Sequence, residues 1–113
     1  MMALNRGEIV LVNFNPAKGR EMGKLRPAVV VSDRIDNEIL DTVIVIPLST
    51  HIEKDSLPYR CLIEKREKLL KHSDACIYEI RALSKTRIKE KLSVVSDTEL
   101  SIIQEALCRI IQS

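Results

Sequence analysis

The distribution of apolar runs constrains the fold of this chain more than any other feature. Six runs rich in β-branched and apolar residues are each short and are separated by prolines or polar segments. Runs of this kind are typical of strands. We predict strands at Glu8 to Phe14, Pro27 to Ser32, Thr42 to Leu48, Tyr59 to Glu64, Asp74 to Leu83 and Leu92 to Val95. Arg34 to Leu40 is predicted as a polar connection, with a helical turn as the alternative.

The last segment has a helical period. Ser96 to Glu99 has the sequence of a capping box, in which the serine and glutamate side chains bond each other's backbone N–H groups. Apolar residues then recur three and four positions apart, which predicts an amphipathic helix from Asp97 to Gln112. Short strands followed by one helix predict a mainly β fold, a small barrel or open sheet with the C-terminal helix packed across it.

Length and composition predict one domain, residues 1–113, because a single core usually serves about 100 to 150 residues. No apolar run approaches the roughly 18 residues needed to span a bilayer, and the N-terminus lacks the pattern of a signal peptide. We therefore expect a cytoplasmic protein without membrane contact. Cys61, Cys76 and Cys108 are widely spaced and lie in apolar stretches, which predicts buried free thiols rather than disulfides or a zinc site.

Charge is concentrated in the first loop. The net charge of +2 is too small to establish nucleic-acid binding. Four cations fall within nine residues, however, and only Glu21 opposes them: Lys18, Arg20, Lys24 and Arg26. A solvated loop would have a similar composition, so the cluster on its own favours RNA or DNA only weakly.

Arg6 to Ser32 resembles the opening of a MazF/PemK toxin, in which R-G-[DE]-[IV], a strand, [DN]-P-x-x-G-x-E, a loop, R-P and an apolar strand follow in this order. The matching positions are Arg6, Gly7, Glu8, Pro16, Gly19, Glu21, Arg26 and Pro27. A second similarity is the strand VIVIPLST, which ends in Ser49 and Thr50, and a third is YEIRALSKTRI, which is similar to the family's Q-I-R-T-I-D segment. The order and spacing of these motifs, over nearly the whole chain, make the resemblance specific.

The resemblance implies a small SH3-like barrel of the CcdB/PemK type that forms a homodimer. It also implies a toxin of a type II toxin–antitoxin system, one that cleaves single-stranded RNA at short sequences without a metal or other cofactor and is inhibited by a cognate antitoxin. The family's functional positions fall on Arg26, Glu21 and Ser49, with Thr50 as an adjacent alternative to Ser49. The sequence departs from the family where Glu79 replaces the glutamine of Q-I-R and Ala82 to Ser84 replaces T-I-D.

Metal-independent cleavage of RNA uses the 2′-OH as the nucleophile, so the protein must accept its proton and stabilise charge on phosphorus oxygens. Arg26 suits the stabilising role because a guanidinium offers a planar fork of donors, and Pro27 restricts its backbone. Ser49 is predicted to donate to a phosphate oxygen or to position the nucleotide. Glu21 is predicted to accept the proton or to orient Arg26.

Each assignment has a plainer alternative. Arg26 could be a loop-edge charge, Ser49 a turn residue that bonds its own backbone, and Glu21 a counterion for its neighbours. His51 could be the general base or a solvated loop histidine. Phe14 could stack an RNA base or belong to the core. The predicted substrate-binding residues are Lys18, Arg20, Lys24, Phe14, Thr50 and His51.

Two other functions remain open from the sequence. A toxin of the same barrel type could poison DNA gyrase, as the CcdB family does, and would then depend on the C-terminal helix rather than on Arg26 and Ser49. A non-catalytic SH3-like binding module is the second, because fold alone does not decide function. The R-P motif and the strand that ends in Ser49-Thr50 favour the ribonuclease.

Overall fold

The computed structural model describes residues 2–14 and 25–112, and there the chain forms a sheet with two helices. The elements, in chain order, are β1 (Glu8–Asn13), β2 (Leu25–Val30), α1 (Arg34–Ile39), β3 (Thr42–Ser49), β4 (Arg60–Ile63), β5 (Ser73–Cys76), β6 (Arg81–Ser84), β7 (Ile88–Val94) and α2 (Asp97–Gln112). Short 3₁₀ turns at Ile77–Glu79 and Lys85–Arg87 precede β6 and β7. The prediction of a mainly β fold with a C-terminal helix is confirmed.

β3 is the strand that joins the sheet together. The strands are ordered β4-β5-β3-β2-β1-β7, and β6 also pairs with β3. All pairings between these strands are antiparallel. The first half of β3 pairs with β6, from Thr42 to Val45, whereas its last two residues pair with β5. The sheet is thereby divided into two parts that share β3.

Two hydrophobic cores lie on opposite faces of β1, β2 and β3. Because successive side chains of a strand alternate between faces, Val10, Ala28 and Val45 contribute to one core while Ile9, Val29 and Ile46 contribute to the other. The first, the barrel core, also contains Phe14, Leu83 and Ile88. The second, the helix core, is covered by β4, β5 and α2. Strands that are buried on both faces explain the continuous apolar runs of the sequence.

Two predicted elements differ from those observed. The strand predicted from Asp74 to Leu83 is interrupted by the 3₁₀ turn, because β5 and β6 pair with different halves of β3 and the chain must shift along it. The strand predicted at Leu92 to Val95 is longer, since β7 pairs with β1 from Ile88 to Val94. The alternative of a helical turn after Ser32 is confirmed by α1, whose N-cap Asp33 accepts a hydrogen bond from the Ile35 N–H at 3.1 Å.

α2 has the predicted bounds and the predicted cap. The Glu99 N–H donates to Ser96 Oγ at 3.0 Å and the Ser96 N–H donates to Glu99 Oε1 at 2.8 Å. Ile103 and Ala106 are buried, and Leu100, Ile102, Leu107 and Ile110 pack against the helix core. Neither α1 nor α2, the two α-helices within residues 2–14 and 25–112, is long and apolar enough to cross a membrane.

The three cysteines are free, but they are not all buried as predicted. Cys61 and Cys76 are buried, and burial is the main reason that the pKa of each thiol is raised. Cys108 is exposed, since it lies on the outward side of α2.

An ion pair fixes the start of α2 to the segment after β4. Arg66 donates from both terminal nitrogens to the two oxygens of Glu99, with Nη2 2.6 Å from Oε2. Both side chains are mostly withdrawn from water, at 23% and 17% exposure. Burial alone would raise the pKa of Glu99, but the hydrogen bonds from Arg66 and Ser96 lower it overall. Glu99 therefore contributes more to stability as a carboxylate than as an acid.

Glu99→Gln should lower the free energy of unfolding by about 2 kcal/mol at neutral pH, the loss expected for hydrogen bonds to a charged group. Because the pKa of Glu99 is lowered, this difference from wild type should shrink as the pH falls below the ordinary value of 4.5. Urea unfolding followed by circular dichroism at neutral pH and at about pH 3 measures it. Glu105→Gln, at an exposed position of the same helix, is the control. A difference that persisted unchanged in acid would contradict the role of the charge.

Candidate functional site

Arg26 lies at the edge of the barrel core. It is the second residue of β2, its side chain is half-buried, and its backbone is opposite Val12 of β1. Strand alternation places it on the same side of β2 as Ala28 and Val30, which belong to the barrel core. The backbone that carries the guanidinium is therefore held by its pairing with β1.

Ser49 is the last residue of β3, the strand beside β2. The β2–β3 ladder pairs Ala28 with Pro47 and Val30 with Val45. Arg26 and Ser49 each lie two residues beyond the Ala28–Pro47 pair, at the end of this ladder. Ser49 lies an even number of residues after Val43 and Val45, which face the barrel core, so its side chain is on that same face of the sheet. This is also the face of Arg26. The two residues predicted from the R-P motif and the strand end thus come to one face on adjacent strands.

The segment after Ser49 turns sharply. Ser49 Oγ accepts a hydrogen bond from the His51 N–H at 3.2 Å, as the turn alternative for this serine predicts. The hydroxyl hydrogen is not used in that bond, so the same group can still donate. Thr50 and His51 are exposed, and His51 Nε2 lies 3.6 Å from Glu53 Oε1.

A buried ion pair that the sequence did not reveal holds this segment in place. Asp74 is paired with Ser49 across the β3–β5 ladder and is 2% exposed. Its Oδ2 accepts the Glu53 N–H at 2.8 Å and Arg60 Nη1 at 3.3 Å. Arg60 Nη1 donates to the His51 carbonyl at 2.8 Å as well. One carboxylate and one guanidinium therefore fix the backbone at both His51 and Glu53.

The charge of Arg60 is matched by its surroundings. Burial lowers the pKa of its guanidinium, but Cys76, Asp74 and Glu53 raise it, with a net increase. The Glu53 carboxylate lies 3.8 Å from Arg60 Nε and completes the cluster. A buried carboxylate that lost this partner would be left uncompensated, which is costly in a low-dielectric site. Arg60 and Asp74 are positioning residues for the segment that begins at Ser49.

Phe14 does not offer the stacking surface that was one of its two predicted roles. Its side chain is 7% exposed and belongs to the barrel core. The Arg81 guanidinium lies 5.5 Å from the centre of its ring and covers one face. The core alternative is the one that the structure favours.

Other predicted site residues lie outside the described residues. These are Lys18, Arg20, Glu21 and Lys24 of the first loop. Within residues 2–14 and 25–112, no three His, Cys, Asp or Glu side chains are grouped as the ligands of a metal ion would be.

Comparisons with known proteins identify the family. The profile of the PemK-like, MazF-like toxins of type II toxin–antitoxin systems matches residues 5–111. A relative named endoribonuclease MazF, from Staphylococcus saprophyticus, is 35% identical over 105 residues, which are 92% of this chain and 88% of the relative. The chain belongs to the PemK/MazF toxin family.

Solved structures of the family share its fold. MazF from Deinococcus radiodurans superposes with a TM-score of 0.82 at 20% identity, with 100% of both chains covered. A mycobacterial endoribonuclease in complex with its cognate antitoxin gives a TM-score of 0.75 at 19% identity, covering 99% of this chain and 96% of that one. The predicted resemblance and the CcdB/PemK-type fold are confirmed.

In this PemK/MazF chain, the sequence offered one signal for the missed ion pair. Asp74 is an acidic residue directly before the apolar residues Ala75, Cys76 and Ile77, which is typical of a buried carboxylate with a partner. Its partner could not be named, because Arg60 and Asp74 meet only through the pairing of β4 with β5.

Arg60→Met should release the segment from His51 to Leu57 while leaving the strands intact. Removing the guanidinium deletes the bond to the His51 carbonyl and leaves Asp74 without its cation. Hydrogen exchange measured by mass spectrometry should show faster exchange in peptides from this segment and little change in β2.

Arg66→Met is a matched control, because it breaks the ion pair of similar burial with Glu99 on α2. It should accelerate exchange near residues 96–100 instead. If both variants loosened the segment after Ser49 equally, the specific role of Arg60 would be refuted.

Proposed function

We propose that the protein is the toxin of a toxin–antitoxin pair and that residues 1–113 act as one domain, a sequence-specific, metal-independent endoribonuclease for single-stranded RNA. The observation that most strongly supports this proposal is that Arg26 and Ser49 lie on one face of adjacent strands in a member of the PemK/MazF family. The name of the Staphylococcus saprophyticus relative supports the activity.

The reaction is an internal transesterification. The 2′-oxygen attacks the adjacent phosphorus, the bond from phosphorus to the 5′-oxygen breaks, and the products carry a 2′,3′-cyclic phosphate and a 5′-OH. A group of the protein accepts the 2′-OH proton, and the departing 5′-oxygen takes up a proton. Because the nucleophile belongs to the RNA, no metal-bound water is required as the attacking group.

Arg26 stabilises the charge that grows on the phosphorus oxygens. Its guanidinium remains charged at any physiological pH and can donate two parallel hydrogen bonds to phosphate oxygens. The pairing of its backbone with Val12 and the ring of Pro27 limit the directions in which the side chain can point. A donor that is already oriented needs little reorganisation in the transition state.

Ser49 donates its remaining hydroxyl hydrogen to a phosphate oxygen or to the ribose beside it. The anchoring of His51 and Glu53 by Arg60 and Asp74 keeps this hydroxyl at the end of β3. Thr50 contributes to binding of the same nucleotide, as its exposed position permits.

The proton acceptor is Glu21 or His51. Glu21 corresponds to the acidic residue of the family's first loop, and it alternatively orients Arg26. His51 is exposed and lies two residues beyond Ser49, which supports it as the alternative acceptor. A pH profile that loses its acidic limb in Glu21→Gln but not in His51→Gln assigns the base to Glu21.

The cations of the first loop bind either RNA or the antitoxin, so that the two compete. Lys18, Arg20 and Lys24 would attract phosphates, and they would equally attract an acidic segment of a cognate antitoxin. The solved complex of a mycobacterial relative with its antitoxin supports such a partner. We propose that the protein acts in the cytoplasm, where its RNA substrates lie.

A homodimer is the functional unit that we propose. α1 and its C-cap leave large apolar side chains exposed at Ile35, Ile39 and Leu40, which is typical of a surface that contacts another chain. Sedimentation equilibrium at micromolar concentration should give about twice the monomer mass of 12.8 kDa. A monomer under these conditions would refute the dimer without affecting the assignment of Arg26.

Arg26→Ala should lower kcat by about 10²- to 10³-fold with little change in KM, because the guanidinium acts mainly on charge that develops in the transition state. Arg26→Lys should recover little, since a point charge cannot reproduce the two-donor fork. Ser49→Ala should lower the rate by only about tenfold, the loss of one neutral hydrogen bond. Single-turnover cleavage of one RNA measures all three.

Ser49→Thr is the conservative control and should be nearly silent, because threonine supplies the same hydroxyl. Each variant must retain the circular dichroism and unfolding midpoint of wild type. Near-wild-type cleavage by Arg26→Ala would refute the catalytic role of Arg26 and of the R-P motif. Absence of cleavage by wild type would instead leave the gyrase-poisoning toxin or the binding module as the function.

A further inference from the structure

We propose that Tyr59 and Tyr78 together form a platform on which an unpaired base of the RNA stacks; this inference rests on the proposed function. The ring centres are 5.7 Å apart and the ring planes are inclined by 42°. The two residues are 57% and 67% exposed, respectively, so part of each ring faces water. The third aromatic residue of the chain, Phe14, is buried, which leaves this pair as the aromatic surface available to a base.

Backbone hydrogen bonds fix the chain at Tyr59 and next to Tyr78. The Ile77 N–H donates to the Tyr59 carbonyl at 2.9 Å, and the Tyr59 N–H donates to the Ser56 carbonyl at 2.7 Å. Ile77, next to Tyr78, is fully buried in the helix core. The exposure of the rings therefore does not come from a frayed end. Two large aromatic side chains are presented to solvent from ordered backbone, although burial would stabilise each of them.

The location suits a nucleotide near the scissile bond. Ser49 is opposite Asp74, and Tyr78 is four residues beyond Asp74, which is at most about 13 Å along an extended strand. A few nucleotides of single-stranded RNA span such a distance. Tyr59 also directly precedes Arg60, which anchors the segment after Ser49. The platform and the proposed site are thus parts of one ordered region.

The chemistry of the pair favours a base over a peptide. Every base has a flat face, and aromatic stacking binds single strands without demanding one sequence. Tyrosine suits an exposed position of this kind, since its hydroxyl can stay hydrated while the ring packs. Loss of one stacking residue should weaken RNA binding by about 5- to 150-fold.

The composition of the chain provides a direct measurement. It has two tyrosines and no tryptophan, so its intrinsic fluorescence comes from this pair alone. Binding should be measured with an RNA whose 2′-OH groups are methylated, because this RNA cannot be cleaved. We expect saturable quenching of the tyrosine emission in wild type. Uncleavable RNA thus separates the platform from the catalytic step.

Tyr59→Leu and Tyr78→Leu should each weaken binding of the same RNA, measured by anisotropy of a labelled oligonucleotide. The phenylalanine variants should bind like wild type because they keep the ring. Leu70→Ala, which removes an exposed apolar side chain from another surface, is the control and should have no effect. The same variants should be tested with a series of RNAs that each lack one base. For one RNA of the series, the loss of binding free energy caused by the missing base and the loss caused by the tyrosine substitution should not add.

Unchanged emission on saturation with RNA, together with unchanged binding by the double leucine variant, would overturn the platform. Emission that changed with protein concentration in the absence of RNA would overturn it too, since a second copy would then cover the rings. Quenching by an antitoxin peptide but not by RNA would assign the surface to that partner instead.

If wild type cleaved unmodified RNA while the tyrosine variants bound normally, the proposed function would survive without the platform. If wild type neither bound nor cleaved RNA, both would fail.

Discussion

The pairing of β3 with three other strands is the constraint on which the rest of the molecule depends. Its first half pairs with β6, its end pairs with β5, and β2 lies along its other side. Since a shift of one residue would turn every side chain to the opposite face, the two cores on either side of β1, β2 and β3 allow one register. The same register decides that Arg26 and Ser49 belong to one face. The packing of apolar side chains therefore determines where the polar ones can act.

The buried pair of Asp74 and Arg60 connects this framework with the proposed chemistry. An ion pair withdrawn from water often contributes little net stability, because desolvation opposes the attraction. Here the two side chains bond the backbone at His51 and Glu53, so their burial defines the path of the chain after Ser49. Arg66 and Glu99 form a second such ion pair, which fixes the start of α2 and lies away from that segment. The two pairs are alike in chemistry and differ in what they position.

Local signals in the sequence predicted a large part of this structure. The capping box and the apolar repeat of α2 are local signals, because each involves residues three or four positions apart in the sequence. The bounds of α2 could therefore be predicted to the residue. The interruption between β5 and β6 could not, because it arises from the two halves of β3 having different partners. The bond between Arg60 and Asp74, the contact of Tyr59 with Tyr78 and the burial of Phe14 likewise depend on strands that are distant in sequence. The role of Glu21 stays a prediction from the family resemblance, and the roles of Lys18, Arg20 and Lys24 stay predictions from the cluster of charge in the first loop.

We propose that Arg26 and Ser49 serve a cleavage in which RNA supplies its own nucleophile. Digestion of a defined single-stranded RNA in excess EDTA, with the new ends identified by mass spectrometry, tests this mechanism. We expect cleavage under these conditions, with a 2′,3′-cyclic phosphate on one fragment and a 5′-OH on the other. Cleavage that required added Mg²⁺, or that left a 3′-OH and a 5′-phosphate, would contradict it, since those ends require water to attack the phosphorus.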